Sequence, residues 1–217
     1  MFKDSTIANV FPVPVWIQML EEADRARLDQ ALIGLLERER QAAESYKPGG
    51  HWQSRNDLQS DPLLGPFCDV AKAAAAIALD SLSAKPGEVQ VTGCWFNLQP
   101  PGGVPHDAHT HPNNFLSGVY YLRAGPGADA IVFHDPRPQT NIIMPRYDAP
   151  NAYNSRRATV TIRPGTLILF PAYLSHSVPP NGSDEERVSL SFNLMFANFT
   201  ETVSPPKWHF AGPDDPR

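Results

Sequence analysis

The chain has 217 residues, of which 41% are hydrophobic and 19% are charged, and its formal net charge is −5. This composition is typical of a globular protein with a sizeable core, and we expect a single domain over residues 1–217. No block rich in lysine and arginine is present, which argues against nucleic acid as a partner. We find no leader-like segment and no apolar run near the ~18 residues that a membrane span needs. Because Cys68 and Cys94 are expected to be free thiols in a reducing compartment, we expect a cytoplasmic protein.

The first part of the chain, about residues 1–86, is predicted to be a helical preface. Residues 11–17 mix prolines with apolar residues and predict a short edge strand, because proline cannot donate to a strand ladder. Leucines at helical spacing predict a helix over about residues 21–43. The Asp-Pro pair at 61–62 predicts the start of a second helix, which carries Ile77 on its apolar face.

The remainder, about residues 87–200, changes to short segments rich in β-branched and aromatic residues and predicts an all-β core, either a sandwich or a barrel. Strands are predicted at 89–98, 115–122, 130–134, 158–163, 166–170 and 187–196. The last of these strands places polar side chains on one face and large apolar ones on the other. Its polar residues are Arg187, Ser189, Ser191 and Asn193. Such a strand fits a wall between a functional cavity and helices packed outside it.

A group of histidines in this part of the chain predicts a metal site. His109 and His111 point the same way in an extended strand, so both can hold one ion. His176, from a distant strand, would complete a set of three ligands and leave open positions for chemistry. Arg187 and Ser189 then add a guanidinium and a hydroxyl suited to a carboxylate. The pattern favours a metal ion together with a small organic acid, with no catalytic residue beyond the metal ligands.

An ordered set of motifs accompanies these residues. The motifs lie at 51–54, 109–112, 116–122, 133–136, 164–171, 176 and 187–193. Over about residues 50–197 the chain resembles the 2-oxoglutarate/Fe(II)-dependent oxygenases of bacteria and phages. This resemblance implies a double-stranded β-helix, a jelly-roll variant related to the cupins, flanked by N-terminal helices.

The resemblance also implies an activity and a set of ligands. The expected reaction is a hydroxylation-type oxidation in which 2-oxoglutarate is decarboxylated to succinate and O2 is consumed. Fe(II) would be held by His109, His111 and His176. The co-substrate 2-oxoglutarate would be bound by Arg187, Ser189, Tyr121 and Asn193.

One position departs from the better-studied relatives, which have a carboxylate where this chain has His111. A site made of three imidazoles carries one more positive charge, which alters its redox properties and its hold on an anionic co-substrate. Asp107 shares strand parity with His109 and is the alternative ligand. His106 would face the other way in a continuous strand, toward substrate or outside the ligand set. Asp135 is interpreted as a turn residue before Pro136.

The alternative within the same fold is a cupin: a metal-binding protein or a three-histidine dioxygenase that does not use 2-oxoglutarate. Arg187 discriminates between them, because a generic cupin has no need of a carboxylate-binding arginine. The long polar segment 135–157 carries four arginines, and one hypothesis is that it covers the cavity and favours an anionic small-molecule substrate. A solvated loop or an oligomer contact is the alternative, and a homodimer stays open. The sequence does not identify the substrate.

Overall fold

The computed structural model describes residues 2–84, 87–141 and 143–199. Two α-helices, α1 (Glu22–Ala42) and α2 (Gly65–Ser81), precede most of the strands. Short 3-10 helices lie at Leu58–Ser60, Pro62–Leu64 and Pro138–Asn141. The ten strands are β1 (Trp16–Met19), β2 (Trp52–Gln53), β3 (Val89–Gln99), β4 (His106–His109), β5 (Leu116–Arg123), β6 (Ala130–His134), β7 (Arg157–Thr161), β8 (Thr166–Pro171), β9 (His176–Val178) and β10 (Arg187–Phe196).

The strands form two sheets that face each other. The larger sheet has the order β1-β8-β5-β10-β3-β2, and the smaller has the order β4-β9-β6-β7. All pairings between these strands are antiparallel. This is the expected double-stranded β-helix, but within the described residues no ladder joins the two sheets into a closed barrel. Both β1 and β2 come from the preface and occupy the two edges of the larger sheet.

The helices cover the outer face of the larger sheet. The leucines of α1 and the alanines of α2 belong to one buried cluster with the apolar side chains of β3, β5, β8 and β10. Across this layer the Tyr120 hydroxyl of β5 donates to the Asp29 carboxylate of α1 at 2.6 Å. The apolar side of β10 therefore packs against the helices, as its alternation predicts.

A second cluster fills part of the space between the two sheets. It joins Val119 and Tyr121 of β5 and Phe170 of β8 to Ile131 and Phe133 of β6. The larger sheet thus buries apolar side chains on both faces, and the polar side of β10 is left to line what remains of the gap.

Two sequence-based boundaries differ from the structure. The first strand is Trp16–Met19 and not 11–17, because its ladder with β8 begins after the prolines at 12 and 14. In α2 the buried face is formed by alanines such as Ala71 and Ala75, whereas Ile77 is 61% exposed. Asp61 does cap the turn that precedes α2, since its carboxylate accepts from the Leu63 N–H at 3.0 Å.

The segment Pro62–Ser81 is long and apolar enough to cross a membrane by length and composition alone. The sequence-based statement that no stretch approaches this length was therefore wrong. A core helix has the same composition, and α2 buries Phe67, Ala71 and Ala78 completely against the sheet.

A substitution at Gly118 of β5 would test how tightly the side chains between the helices and the larger sheet are packed. A Cβ at this position would lie 2.7 Å from Cε1 of Phe192 and 2.8 Å from Cδ2 of Leu169, and both neighbours are fully buried. We expect Gly118→Ala to lower the free energy of unfolding by ~1–3 kcal/mol through overpacking, measured by urea denaturation. The matched control is Gly34→Ala in α1, where a Cβ meets nothing within 4 Å. This change should raise stability by ~0.5–1 kcal/mol. A Gly118→Ala protein as stable as the parent would show that the layer is loosely packed.

Candidate metal and co-substrate site

Three histidine side chains meet at one end of the gap between the sheets. Strand pairing sets His109, at the end of β4, directly opposite His176, at the start of β9. His111 follows two residues after His109, and its backbone N–H donates to the Ala172 carbonyl at 2.9 Å. One ring nitrogen from each of the three lies within 4.8 Å of the others. This spacing is suitable for three imidazoles that bind a single metal ion on one side.

The orientation of two of these rings is fixed by backbone carbonyls. Nδ1 of His109 lies 2.7 Å from the Asp107 carbonyl oxygen, and Nδ1 of His176 lies 3.1 Å from that of Leu174. Since a carbonyl oxygen only accepts hydrogen bonds, both Nδ1 atoms carry the proton. The Nε2 lone pairs of both rings are therefore available to a metal ion, as in metal sites where the other ring nitrogen donates to the backbone.

Burial keeps the imidazoles of His111 and His176 neutral. It lowers the pKa of His111 to about 4, with a further contribution from the neighbouring His109. Burial also lowers the pKa of His176 to about 4, and its histidine neighbours act in the same direction. Both rings are therefore neutral at pH 7, and a metal ion does not have to displace the second proton of an imidazolium.

The strand that carries His109 is irregular, and this irregularity determines which way His106 and Asp107 face. The β4–β9 register shifts between His106 and His109, so alternation of faces fails across this stretch. As a result His106 lines the same cavity as His109, contrary to the expectation for a continuous strand. Asp107 is exposed and its carboxylate does not belong to the ligand cluster found among the described residues. Only the backbone carbonyl of Asp107 takes part, as the acceptor for His109.

The histidines open into a cavity of about 240 Å³ between the two sheets. Arg187, Ser189 and Ser191 of β10 line it, which confirms the polar face predicted for this strand. Asn193, the fourth residue of that face, does not line the cavity, and its side-chain oxygen accepts from the Ser117 hydroxyl at 2.8 Å. The structure therefore does not bring Asn193 to the co-substrate position that the sequence assigned to it.

Arg187 is the only charged residue other than histidine among the described residues that line the cavity. It is 4% exposed, and its guanidinium lies over the Tyr121 ring with Cζ 5.4 Å from the ring centroid. The guanidinium donates a long hydrogen bond to the Ala130 carbonyl at 3.5 Å and interacts electrostatically with the nearby Tyr121 hydroxyl. Within the described part of the chain no carboxylate lies within ion-pairing distance of Arg187. Burial lowers the pKa of this guanidinium, although an arginine side chain stays charged at neutral pH.

The neighbourhood of Arg187 holds a second unsatisfied group. The Tyr121 hydroxyl is buried and has no hydrogen-bond partner among the described residues. The one acidic residue adjacent in sequence, Glu186, forms ion pairs with Arg40 and, at 3.9 Å, with Arg123. A buried cation without a carboxylate partner, next to a buried hydroxyl without a regular hydrogen bond, indicates a ligand that supplies oxygen acceptors.

Other cavity residues were missed by the sequence-based search. Trp95, Asn97 and Gln99 of β3 and Gln53 of β2 form the wall beside β10. The signal was present in β3, where Asn97 and Gln99 alternate with the buried Phe96 and Leu98. None of the described residues in 135–157 lines the cavity, contrary to the hypothesis that this segment covers the site.

Comparisons with known proteins agree with this geometry. Residues 93–193 match the sequence model of the family described as "Putative 2OG-Fe(II) oxygenase". Comparison with curated proteins finds no match to the sequence.

Several solved structures share the fold. AviO1 from Streptomyces viridochromogenes Tue57 is 14% identical, with 89% of this chain and 92% of that chain covered and a TM-score of 0.58. A prolyl-4-hydroxylase from Pseudomonas putida is 20% identical, with 84% and 92% covered and a TM-score of 0.55. EctD from S. alaskensis, crystallised with 2-oxoglutarate and 5-hydroxyectoine, is 15% identical, with 84% and 72% covered and a TM-score of 0.61. At these identities the likeness concerns the fold. Residues 93–193, which contain the three histidines and Arg187, match the 2OG-Fe(II) oxygenase family, whose members are oxidoreductases that act with 2-oxoglutarate, iron and O2.

Proposed function

We propose that His109, His111 and His176 hold Fe(II) in this enzyme and that Arg187 binds the distal carboxylate of 2-oxoglutarate. The Tyr121 and Ser189 side chains line the same part of the cavity and would donate further hydrogen bonds to that carboxylate. The finer reaction proposed is hydroxylation of a small-molecule substrate coupled to conversion of 2-oxoglutarate to succinate.

The observation that carries this proposal is the unpaired, buried Arg187 in the cavity of the three histidines. A buried charge without a partner is strongly unfavourable, since its lost hydration is not replaced. A dicarboxylate that reaches from the metal to the guanidinium would supply the missing partner through charge-assisted, often bidentate, hydrogen bonds. A cupin that binds only a metal leaves both Arg187 and the Tyr121 hydroxyl unexplained.

When bound, the iron and 2-oxoglutarate supply the oxidising chemistry. The chain's own residues hold and orient these groups. The Asp107 and Leu174 carbonyls fix the rings of His109 and His176, so that the ligand nitrogens are set before metal arrives. Val119, Ile131 and Val178 give the cavity an apolar side that limits the entry of water.

The reaction class is tested with the purified protein, Fe(II) and 2-oxoglutarate. Under anaerobic conditions we expect a weak metal-to-ligand charge-transfer absorption, because 2-oxoglutarate would bind next to Fe(II). In air we expect slow succinate formation, even without the primary substrate. A protein that binds iron but gives neither signal would be a three-histidine dioxygenase or a metal-binding module, and the 2-oxoglutarate part of the proposal would fail.

The metal ligands are tested by replacing each histidine with alanine. We expect His111→Ala or His176→Ala to lower iron content sharply, while circular dichroism stays close to that of the parent, because both buried clusters remain. Asp107→Ala is the matched control, since this exposed carboxylate lies outside the ligand cluster and the backbone carbonyl that orients His109 is kept. Full iron occupancy in His111→Ala, with loss in Asp107→Ala, would show that the carboxylate is the third ligand.

The co-substrate site is tested on strand β10 by calorimetric titration of anaerobic, metal-loaded variants. Removing one partner of a buried charged pair costs ~2–5 kcal/mol, so Arg187→Ala should weaken 2-oxoglutarate binding by at least ~30-fold. Arg187→Lys should recover part of the affinity, since an ammonium keeps the charge but lacks the planar fork. Ser189→Ala should cost about 0.5–1.5 kcal/mol for a neutral hydroxyl contact.

The matched control for this series is Asn193→Ala. Asn193 lies on the same polar face of β10 but outside the cavity lining, so its loss should leave 2-oxoglutarate affinity within about twofold of the parent's. Unchanged affinity in Arg187→Ala would place the carboxylate site elsewhere.

A further inference from the structure

The cavity has an unusual balance of charge. Its described lining contains four histidines and Arg187, but no aspartate or glutamate. Burial lowers the pKa of His106 to about 4, and an imidazole that binds a metal ion through its lone pair is neutral, so the four histidines bring no charge to the loaded cavity. The protein therefore contributes one positive charge and no negative charge to the space around the metal.

The proposed ligands do not cancel this charge. Ferrous iron brings two positive charges and Arg187 brings one, whereas 2-oxoglutarate brings two negative charges. One positive charge remains, because all three proposed metal ligands are imidazoles and none is a carboxylate. An uncompensated charge in a partly dehydrated cavity attracts an anion and repels a cation over several ångströms.

A pair of histidines outside the metal cluster lies beside the cavity, with one member in its lining. His51, just before β2, and His106, in β4, approach with their Nε2 atoms 2.8 Å apart. His51 is exposed, whereas His106 is half-buried and lines the cavity, so the pair joins its interior to solvent. Two neutral imidazoles carry two N–H groups, and the hydrogen bond between the rings uses one of them. In either tautomeric arrangement one N–H donor is left for an acceptor.

The remaining wall near this pair is polar but uncharged. Gln53 shares the β2–β3 edge with Asn97, which is already bonded to Ser191 through its amide N–H at 2.9 Å. Trp95 provides a flat apolar surface beside His111, with ring centroids 5.9 Å apart. The wall can accommodate a polar head and an apolar body, and it holds no carboxylate that would attract an amine.

We propose that the primary substrate is a small molecule with a single carboxylate, and that the His51–His106 pair donates its remaining N–H to this carboxylate beside the cavity. The inference rests on the proposed function, because the remaining positive charge is counted with iron and 2-oxoglutarate in place. A monocarboxylate would make the loaded cavity neutral, which neither an amide nor an amine of the same shape can do.

The binding test uses protein loaded with Ni(II), in place of iron, and 2-oxoglutarate. The probes are a panel of small aliphatic and aromatic monocarboxylates, each with its matched primary amide and primary amine. Binding is measured as the rise in melting temperature and as the change in tryptophan fluorescence, since Trp95 lines the cavity. We expect at least one carboxylate to bind tenfold or more tightly than its amide, with no binding of its amine. Equal binding of carboxylate and amide, preference for the amine, or no carboxylate binding across the panel would overturn the proposal.

Three variants test whether His51, His106 and the neighbouring wall are responsible for carboxylate binding. His51→Ala and His106→Leu should each weaken the bound carboxylate at least fivefold. Gln53→Glu adds a negative charge at an exposed position of the same wall and should abolish the preference for carboxylate over amide. His134→Gln is the matched control, because His134 is hydrogen-bonded to Ser177 and lies outside the cavity lining. Unchanged carboxylate affinity in both His51→Ala and His106→Leu would contradict the assignment.

The Ni(II)-loaded protein is first titrated with 2-oxoglutarate alone. This step separates a failure of the proposed function from a failure of the proposed substrate class. If 2-oxoglutarate does not bind in an Arg187-dependent way, the proposed function fails and the charge balance fails with it. If 2-oxoglutarate binds but the panel shows no preference for carboxylates, only the substrate class is overturned.

Discussion

The packing of strand β10 determines both the helix-covered core and the cavity that holds the candidate site. Its apolar side chains, such as Leu190 and Phe192, are fully buried against the helices, and its alternate side chains line the cavity. Because a strand has a strict period of two, the register that buries one set is the register that presents Arg187 and Ser189 to the metal site. The helical layer therefore stabilises the cavity indirectly, by holding a strand that would otherwise expose a strongly apolar face to water.

Burying Arg187 without a carboxylate sacrifices stability in the ligand-free protein. A guanidinium in this position loses hydration and gains the face of the Tyr121 ring and one long contact to the Ala130 carbonyl. The protein retains this arrangement while Glu186, the residue next to Arg187, is held by Arg40 and Arg123. A carboxylate ligand that pairs with Arg187 removes this destabilisation, so its binding free energy becomes more favourable by a comparable amount. The site is preorganised in this sense, because the guanidinium is already held in the binding position before the ligand arrives.

The sequence predicted what depends on local periodicity. The two faces of β10 follow from strand alternation, and the start of the second helical segment follows from Asp61 and its neighbouring proline. His111 meets His109 at the site although it lies two residues beyond the end of β4. The sequence did not predict what depends on a partner strand. The register shift in β4 turns His106 into the cavity and leaves Asp107 outside, and it exists only in the pairing with β9. Likewise, the local sequence does not show that Ser189 lines the cavity and Asn193 does not. The cavity ends between these two residues, and this depends on how the two sheets meet.

His111 stands where the resemblance leads us to expect a carboxylate ligand, and the electrostatic effect of this difference extends through the whole cavity. Three neutral imidazoles leave the full charge of a divalent ion in place, and Arg187 adds to it. This strengthens the hold on a dianionic co-substrate and, once that is bound, still favours a further anion. Preference for an anionic substrate thus requires no arginine from the 135–157 loop, whose described residues lie away from the cavity lining. A histidine in place of a carboxylate at position 111 donates less electron density to the metal. By the same substitution, the cavity would come to favour a negatively charged substrate.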